Sequence, residues 1–149
     1  MLGRKLHDPN GIEGAPEAIE GLGLLDVETT LHDAKHLNLV SARHIASGED
    51  VAGYEMHLGE TTGPDCDRPA MDIDGRLEGA TDKTGRVCGT YLHGIFAMDE
   101  FRRAFLGELG ASTDENASYE ASVDETLDLL ASHLETYLDI DMLVGIAGV

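Results

Sequence analysis

Seven histidines, two cysteines and a large surplus of carboxylates are the groups in this chain that could do chemistry near neutral pH. His93 stands out by position. It lies in the run Gly85 to Phe96, Gly-Arg-Val-Cys-Gly-Thr-Tyr-Leu-His-Gly-Ile-Phe, where Val87, Cys88, Thr90, Tyr91 and Leu92 favour a buried strand and Gly85 and Gly94 bracket it. The spacing therefore puts His93 just past a strand end, where open α/β sheets gather their ligand chemistry. From position alone, a catalytic histidine and one that merely fills a strand end are equally good readings.

A histidine in that place acts as a base if a thiol or hydroxyl can reach it. Cys88 is five residues upstream in the same predicted strand, so the odd offset turns it to the other face, roughly 16 Å away at about 3.3 Å per residue. Cys66 falls in a predicted loop between Asp65 and Asp67, whose charges oppose thiolate formation. Neither cysteine is a convincing nucleophile, and no Gly-x-Ser-x-Gly or Gly-x-Cys-x-Gly elbow is present. No Gly-x-x-x-x-Gly-Lys-Ser/Thr loop is present either, so nucleotide binding by these residues is unsupported. Glu55 and His57 share one face of the predicted strand Val51 to Leu58, with Tyr54, Met56 and Leu58 on the other. They could form a catalytic or binding pair, or an ordinary polar strand face. His32 and His36 have the four-residue spacing of zinc ligands on a helix, but no third ligand stands at a recognisable offset, which favours a solvated pair. No metal site is expected.

The elements that must position these groups follow from punctuation and periodicity. Residues 1 to 21 are rich in glycine and proline and read as loop. The apolar run Gly21 to Asp26, continued by Val27 to Thr30, reads as a strand. Leu37 to His44 and Val51 to Leu58 read as two strands joined by the turn Ala46 to Asp50. Residues 59 to 84, rich in glycine, proline and aspartate, read as a long surface excursion. Asp99 is a plausible N-cap for a helix ending at Gly110, with Phe101, Ala104, Phe105, Leu106 and Leu109 as its apolar stripe. After a polar linker from Ala111 to Ala121, Ser122 and Glu125 have capping-box spacing. Val123, Leu127, Leu130, Leu134, Tyr137 and Leu138 then run at helical period and are expected as core contacts. The apolar ending Met142 to Val149 is expected to pack on the body or to fray.

At 149 residues and 42% hydrophobic composition the chain can enclose a real core, and one domain is expected. A formal net charge of -19 and a pI near 4.4 exclude a nucleic-acid backbone or an anionic membrane as partner, since both would repel the surface. The acid is spread along the chain and lysine occurs only at positions 5, 35 and 83, the pattern of a halophilic surface. Two cysteines without a disulfide framework point to the cytoplasm. No run approaches the roughly 20 apolar residues of a membrane span.

Five separated segments carry a specific resemblance. Met1 to Arg4 (Met-Leu-Gly-Arg), Asp8 to Gly14 (Asp-Pro-Asn-Gly-Ile-Glu-Gly), Gly21 to Asp26 (Gly-Leu-Gly-Leu-Leu-Asp), Val51 to Gly59 (Val-Ala-Gly-Tyr-Glu-Met-His-Leu-Gly) and Gly85 to Phe96 occur in the order found in one family. The chain resembles the glutamine amidotransferase domain of cobyric acid synthases, down to Phe101-Arg-Arg-Ala-Phe105. The resemblance implies an α/β, flavodoxin-like class I glutamine amidotransferase fold. It also implies glutamine hydrolysis by a cysteine and a histidine, with ammonia passed to an ATP- and magnesium-dependent synthetase domain that amidates corrinoid carboxylates in cobalamin biosynthesis. His93 matches the family's catalytic histidine, which accepts the thiol proton and returns it to the leaving ammonia. Glu55 and His57 match its Gly-Tyr-Glu-x-His segment and would line the site. Ile95 stands where many class I amidotransferases carry a glutamate, so no third catalytic residue is assigned.

In the family a nucleophilic cysteine and a Gly-Gly-Tyr-Gln segment lead directly into Met-Leu-Gly, and this chain starts at that methionine. The expectation is an incomplete domain without its first strands, its nucleophile elbow or the synthetase domain, inactive alone. The alternative is a non-catalytic interaction module that completes a separately encoded N-terminal half. A hydrolase using Cys66 is disfavoured.

Overall fold

The computed structural model describes residues 1–114 and 117–148, without the side chains of residues 34–36. In chain order it forms strands β1 (Lys5–Asp8), β2 (Glu17–Glu20), β3 (Glu28–His44) and β4 (Asp50–Thr62), then β5 (Met71–Ile73), β6 (Arg76–Glu78), β7 (Ala80–Thr81), β8 (Cys88–Gly89) and β9 (Leu92–His93). Helices α1 (Asp99–Glu108), α2 (Tyr119–Tyr137) and α3 (Ile140–Ala147) follow. Residues Met1–Ser112 make one compact unit and Thr113–Val149 another.

The first unit is built on the antiparallel pair β3 and β4, whose register shifts at a bulge between Leu31 and His36. The sheet runs β2-β1-β3-β4-β9, with β5 paired to β3 and β6 to β5; β7 and β8 form a separate ribbon. Only β1 and β3 are parallel, so this is a mixed sheet in an α/β unit. One face of β4 is buried and the other open, as a half-buried antiparallel sheet requires. Val51 and Glu55 point into the protein, and Val51 joins Ala42, Ala70, Met71, Ile73, Leu92, Ile95 and Phe101 in the main core. Leu25, Val27 and Ala80 make a smaller cluster that Leu2, Cys66 and Val87 extend.

Several sequence expectations give way. Residues 1 to 21 are not simply loop: Asp8 accepts hydrogen bonds from Ile12 N (2.8 Å) and Glu13 N (2.9 Å), closing the Pro-Asn-Gly turn so that β1 and β2 pair. The run 21 to 27 is not a strand, because its amide groups bond back to the N-terminal segment, Gly21 N to Arg4 O and Leu24 N and Leu25 N to Leu2 O. The strand begins only at Glu28. His32 and His36 lie in β3 and not on a helix; His32 is exposed, and the side chain of His36 is outside the described residues. The stretch 59 to 84 is only partly a surface excursion: residues 74 to 77, Lys83 and Thr84 are exposed, but other residues turn inward. Asp65, Ala70, Met71, Ile73, Glu78 and Ala80 are all buried, and the Asp65 carboxylate accepts from Asp26 N at 2.7 Å and pairs with Arg68.

Helix α1 is where expected, but its N-cap is Met98, with Asp99 in the first turn paired to Arg102. In the second unit, α2 starts before the expected capping box: Ser118 caps it, accepting from Ala121 N at 3.4 Å. Val123, Leu127, Leu130, Leu134, Tyr137 and Leu138 are exposed and not core, because two helices alone cannot enclose an apolar centre. The apolar C-terminal segment is helical as far as Ala147, with Asp139 capping α3 through Met142 N at 2.9 Å. No described helix is long and apolar enough to cross a membrane.

Candidate active site

His93 ends β9, the last strand of the sheet, and its direct cross-strand partner is Tyr54 of β4. The expected continuous strand from Gly85 is interrupted. Buried Glu78 accepts hydrogen bonds from Thr90 Oγ1 at 2.6 Å and Tyr91 N at 2.8 Å, which bends the chain and separates β8 from β9. Thr90 Oγ1 also accepts from Leu92 N at 3.0 Å, so the bend hands the chain straight on to β4. Immediately after His93, Gly94 adopts φ 82°, a left-handed conformation that lets the backbone turn away without steric cost. His93 is thereby exposed at a strand end, with its ring stacked on Tyr54 at a centroid distance of 4.9 Å and an interplanar angle of 9°.

Glu55 and His57 are brought together, but on the other side of the sheet. Glu55 is paired with buried Leu92, while Tyr54 is paired with exposed His93, so alternation along β4 sends the two sets to opposite faces. Glu55 is 5% exposed; its Oε2 accepts from Arg76 Nη2 at 2.7 Å, and its Oε1 is 3.9 Å from His57 Nδ1. Arg76 is what makes a carboxylate tolerable there. The trio borders a cavity of about 470 Å³ that also touches Cys66, Glu78 and Tyr91, and His93 is not among its lining residues. The Tyr91 ring reaches this side, 5.0 Å from the His57 ring, and its hydroxyl bonds Thr61.

Cys66 lies in a single 3-10 turn, Pro64–Asp67, and not in a loose loop, with Sγ 3.7 Å from Thr61 O. Burial pushes its thiol above the ordinary range, and the charges of Asp67, Asp65 and Glu78 push it further the same way. Cys88 is in the β7–β8 ribbon, a different sheet from His93. Although the residue is exposed overall, loss of water around its sulfur raises that thiol too, more than the hydrogen bond to Thr81 lowers it. Among the described residues, no three His, Cys, Asp or Glu side chains are grouped to hold a metal ion.

Sequence periodicity missed the contributions of Glu78, Arg76 and Tyr54. All three act across strands, and only Tyr54 left a trace in sequence, as an aromatic residue beside a strand glycine.

Residues 1–101 match the CobB/CobQ-like glutamine amidotransferase domain. The chain belongs to that family. Among curated relatives of this amidotransferase domain, a cobyric acid synthase of Cereibacter sphaeroides is 57% identical over 147 residues, which is 99% of this chain and 30% of the relative. A cobyric acid synthase of Paracoccus denitrificans is 51% identical over 147 residues, again 99% of this chain and 30% of the relative. One of Methylorubrum populi is 50% identical over 145 residues, 97% of this chain and 30% of the relative. The chain thus spans about 30% of the length of the curated relatives it matches.

Proposed function

We propose that this chain is the histidine-bearing part of the glutaminase domain of a cobyric acid synthase, in a flavodoxin-like class I fold whose remaining strands come from residues outside it. The observation that carries the proposal is the exposed His93, set at a strand end and released by a left-handed glycine, in a chain alike along nearly its whole length to cobyric acid synthases. His93 would take the proton of a cysteine thiol supplied from outside these residues. The thiolate attacks the γ-carboxamide carbon of glutamine, and the tetrahedral adduct expels ammonia as His93 returns the proton. Water then hydrolyses the thioester to glutamate. The ammonia would serve ATP-dependent amidation of corrinoid carboxylates in cobalamin biosynthesis.

These 149 residues are proposed to be inactive by themselves, since both cysteines carry raised thiols, Cys66 borders the cavity that His93 does not line, and Cys88 belongs to the separate β7–β8 ribbon. Glu55 and His57 would support β4 from behind and would not touch glutamine. For ATP and its magnesium, this sequence carries no phosphate-cradling Gly-x-x-x-x-Gly-Lys-Ser/Thr loop. Those groups are assigned to a synthetase domain outside these residues. The setting is proposed to be a salt-rich cytoplasm, given 29 acidic against 10 basic side chains; melting in a salt series tests this, and full stability in dilute buffer would contradict it.

A second reading is that the chain is an interaction module. Leu37 (61% exposed), Leu39 (90%) and Tyr54 (40%) surround the open face that carries His93, an apolar surface suited to a complementary half. The two readings part in one experiment. The chain is mixed with a separately expressed N-terminal segment, bearing the cysteine, of the Cereibacter sphaeroides relative, and ammonia release from glutamine is measured. The catalytic reading expects release that His93→Ala abolishes; release unaffected by that substitution leaves only the interaction module.

A further inference from the structure

We propose that Tyr54 is the positioning residue for His93, orienting the imidazole by contact with its face where a catalytic triad would use a carboxylate. This rests on the reading of His93 as the general base. Among the described residues the His93 ring makes no hydrogen bond and no ion pair, and its one ring contact is the stack with Tyr54. The position two residues on, Ile95, is 8% exposed and packs in the main core.

The backbone of His93 is fixed independently of its ring. Pairing with β4 sets the strand, and Gly53 lets the two chains close: a Cβ there would lie 2.1 Å from His93 O. What remains free is rotation of the side chain about its two torsions. A ring stacked at 4.9 Å and 9° on its cross-strand neighbour gives up part of that freedom, because turning out of the stack forfeits the face-to-face contact. Both ring nitrogens lie in that plane and point away from the tyrosine face. A carboxylate would occupy one nitrogen and fix one tautomer; a face contact restricts direction and leaves both nitrogens available. The nitrogen that faces the thiol takes its proton and returns it to the leaving ammonia, so the direction of the ring is what the stack has to supply. Gly53, Tyr54 and Gly94 thus fix His93 in three separate ways: chain approach, ring plane and exit direction.

The test uses Tyr54→Phe, which keeps the aromatic face, and Tyr54→Leu, which removes it. In the chain alone, the His93 ring protons, identified by their loss in His93→Gln, should show upfield ring-current shifts in wild type and Tyr54→Phe and lose them in Tyr54→Leu. The backbone amide spectrum reports whether each variant is folded. In the mixture with the cysteine-bearing segment, Tyr54→Leu should lower kcat on the order of tenfold or more with little change in KM, as expected for a misdirected base. Tyr54→Phe should stay near wild type. Equal kcat for Tyr54→Leu and wild type, where His93→Ala is inactive, overturns this proposal and leaves the function intact. Activity that survives His93→Ala overturns the function itself. Should Tyr54→Leu fail to fold, wild-type His93 ring protons without an upfield shift overturn the proposal by themselves.

Discussion

Substituting Gly53 by alanine perturbs the closest approach in the site. The new methyl carbon would stand 2.1 Å from His93 O, whereas carbon and oxygen rarely approach closer than about 3.3 Å. Relief requires β4 and the His93 segment to separate by roughly 1.2 Å, the difference between those distances. The obstructing atom is backbone, so no side-chain rotation helps. Met56 N donates to Tyr91 O at 3.1 Å across this same seam, and such a separation takes the bond beyond useful length. Overpacking costs about 1–3 kcal/mol and the lost hydrogen bond about 1 kcal/mol more, giving roughly 2–4 kcal/mol. With a urea slope of about 2 kcal/mol/M, the unfolding midpoint of the first unit should fall by about 1–2 M. Hydrogen exchange should accelerate selectively at Leu92 through Ile95, and the Tyr54–His93 stack should be lost. An alanine variant with the wild-type midpoint and unchanged His93 ring-proton shifts would refute the close-approach reasoning.

Three further outcomes are expected. Phe101→Ala, at a ring 2% exposed that meets Phe96, Phe105 and His44, should cost about 3–5 kcal/mol in urea unfolding. Hydrogen bonds from Thr84 Oγ1 and from the backbone of Val87, Thr84 and Arg86 hold the Asp82 carboxyl well below the usual carboxylate range. A depressed folded-state value means the stabilisation is complete above the unfolded value, near 3.8, and is lost as pH falls below it; Asp82→Asn should therefore flatten the acid limb of a melting-temperature profile. Cys66, with its thiol raised by burial and by three neighbouring carboxylates, should react with iodoacetamide at pH 8 more slowly than free cysteine when measured in a Cys88→Ser background.

Local chemistry made some of this molecule legible before its coordinates. Alternation of apolar and polar residues placed the β3–β4 hairpin and its turn, and helical period placed α1, because both patterns are short-range. The glycine on each side of the His93 run was a sound signal: Gly85 and Gly94 both have positive φ. Read as one strand, though, that run hid the bend at Thr90 and Tyr91, where Glu78, 12 residues before Thr90, accepts hydrogen bonds from both. The burial of Asp65, Ala70, Met71, Ile73, Glu78 and Ala80 was hidden for a related reason. The glycines and aspartates of this stretch signal turns, and the turns are real, but buried Asp65 and Glu78 bind backbone amides and pull them inward. Glu55 and His57 were correctly paired by alternation, yet alternation cannot say which face His93 will join, since that depends on the register of β9 against β4.

The most direct measurement of the central claim is covalent labelling of the nucleophile by the glutamine analogue 6-diazo-5-oxo-norleucine in the chain mixed with the cysteine-bearing segment, read by intact mass. The account predicts one adduct, on the added cysteine, that forms with wild type and is lost with His93→Ala. An adduct on Cys66 or Cys88 of the chain alone, or one that forms equally well with His93→Ala, would contradict it.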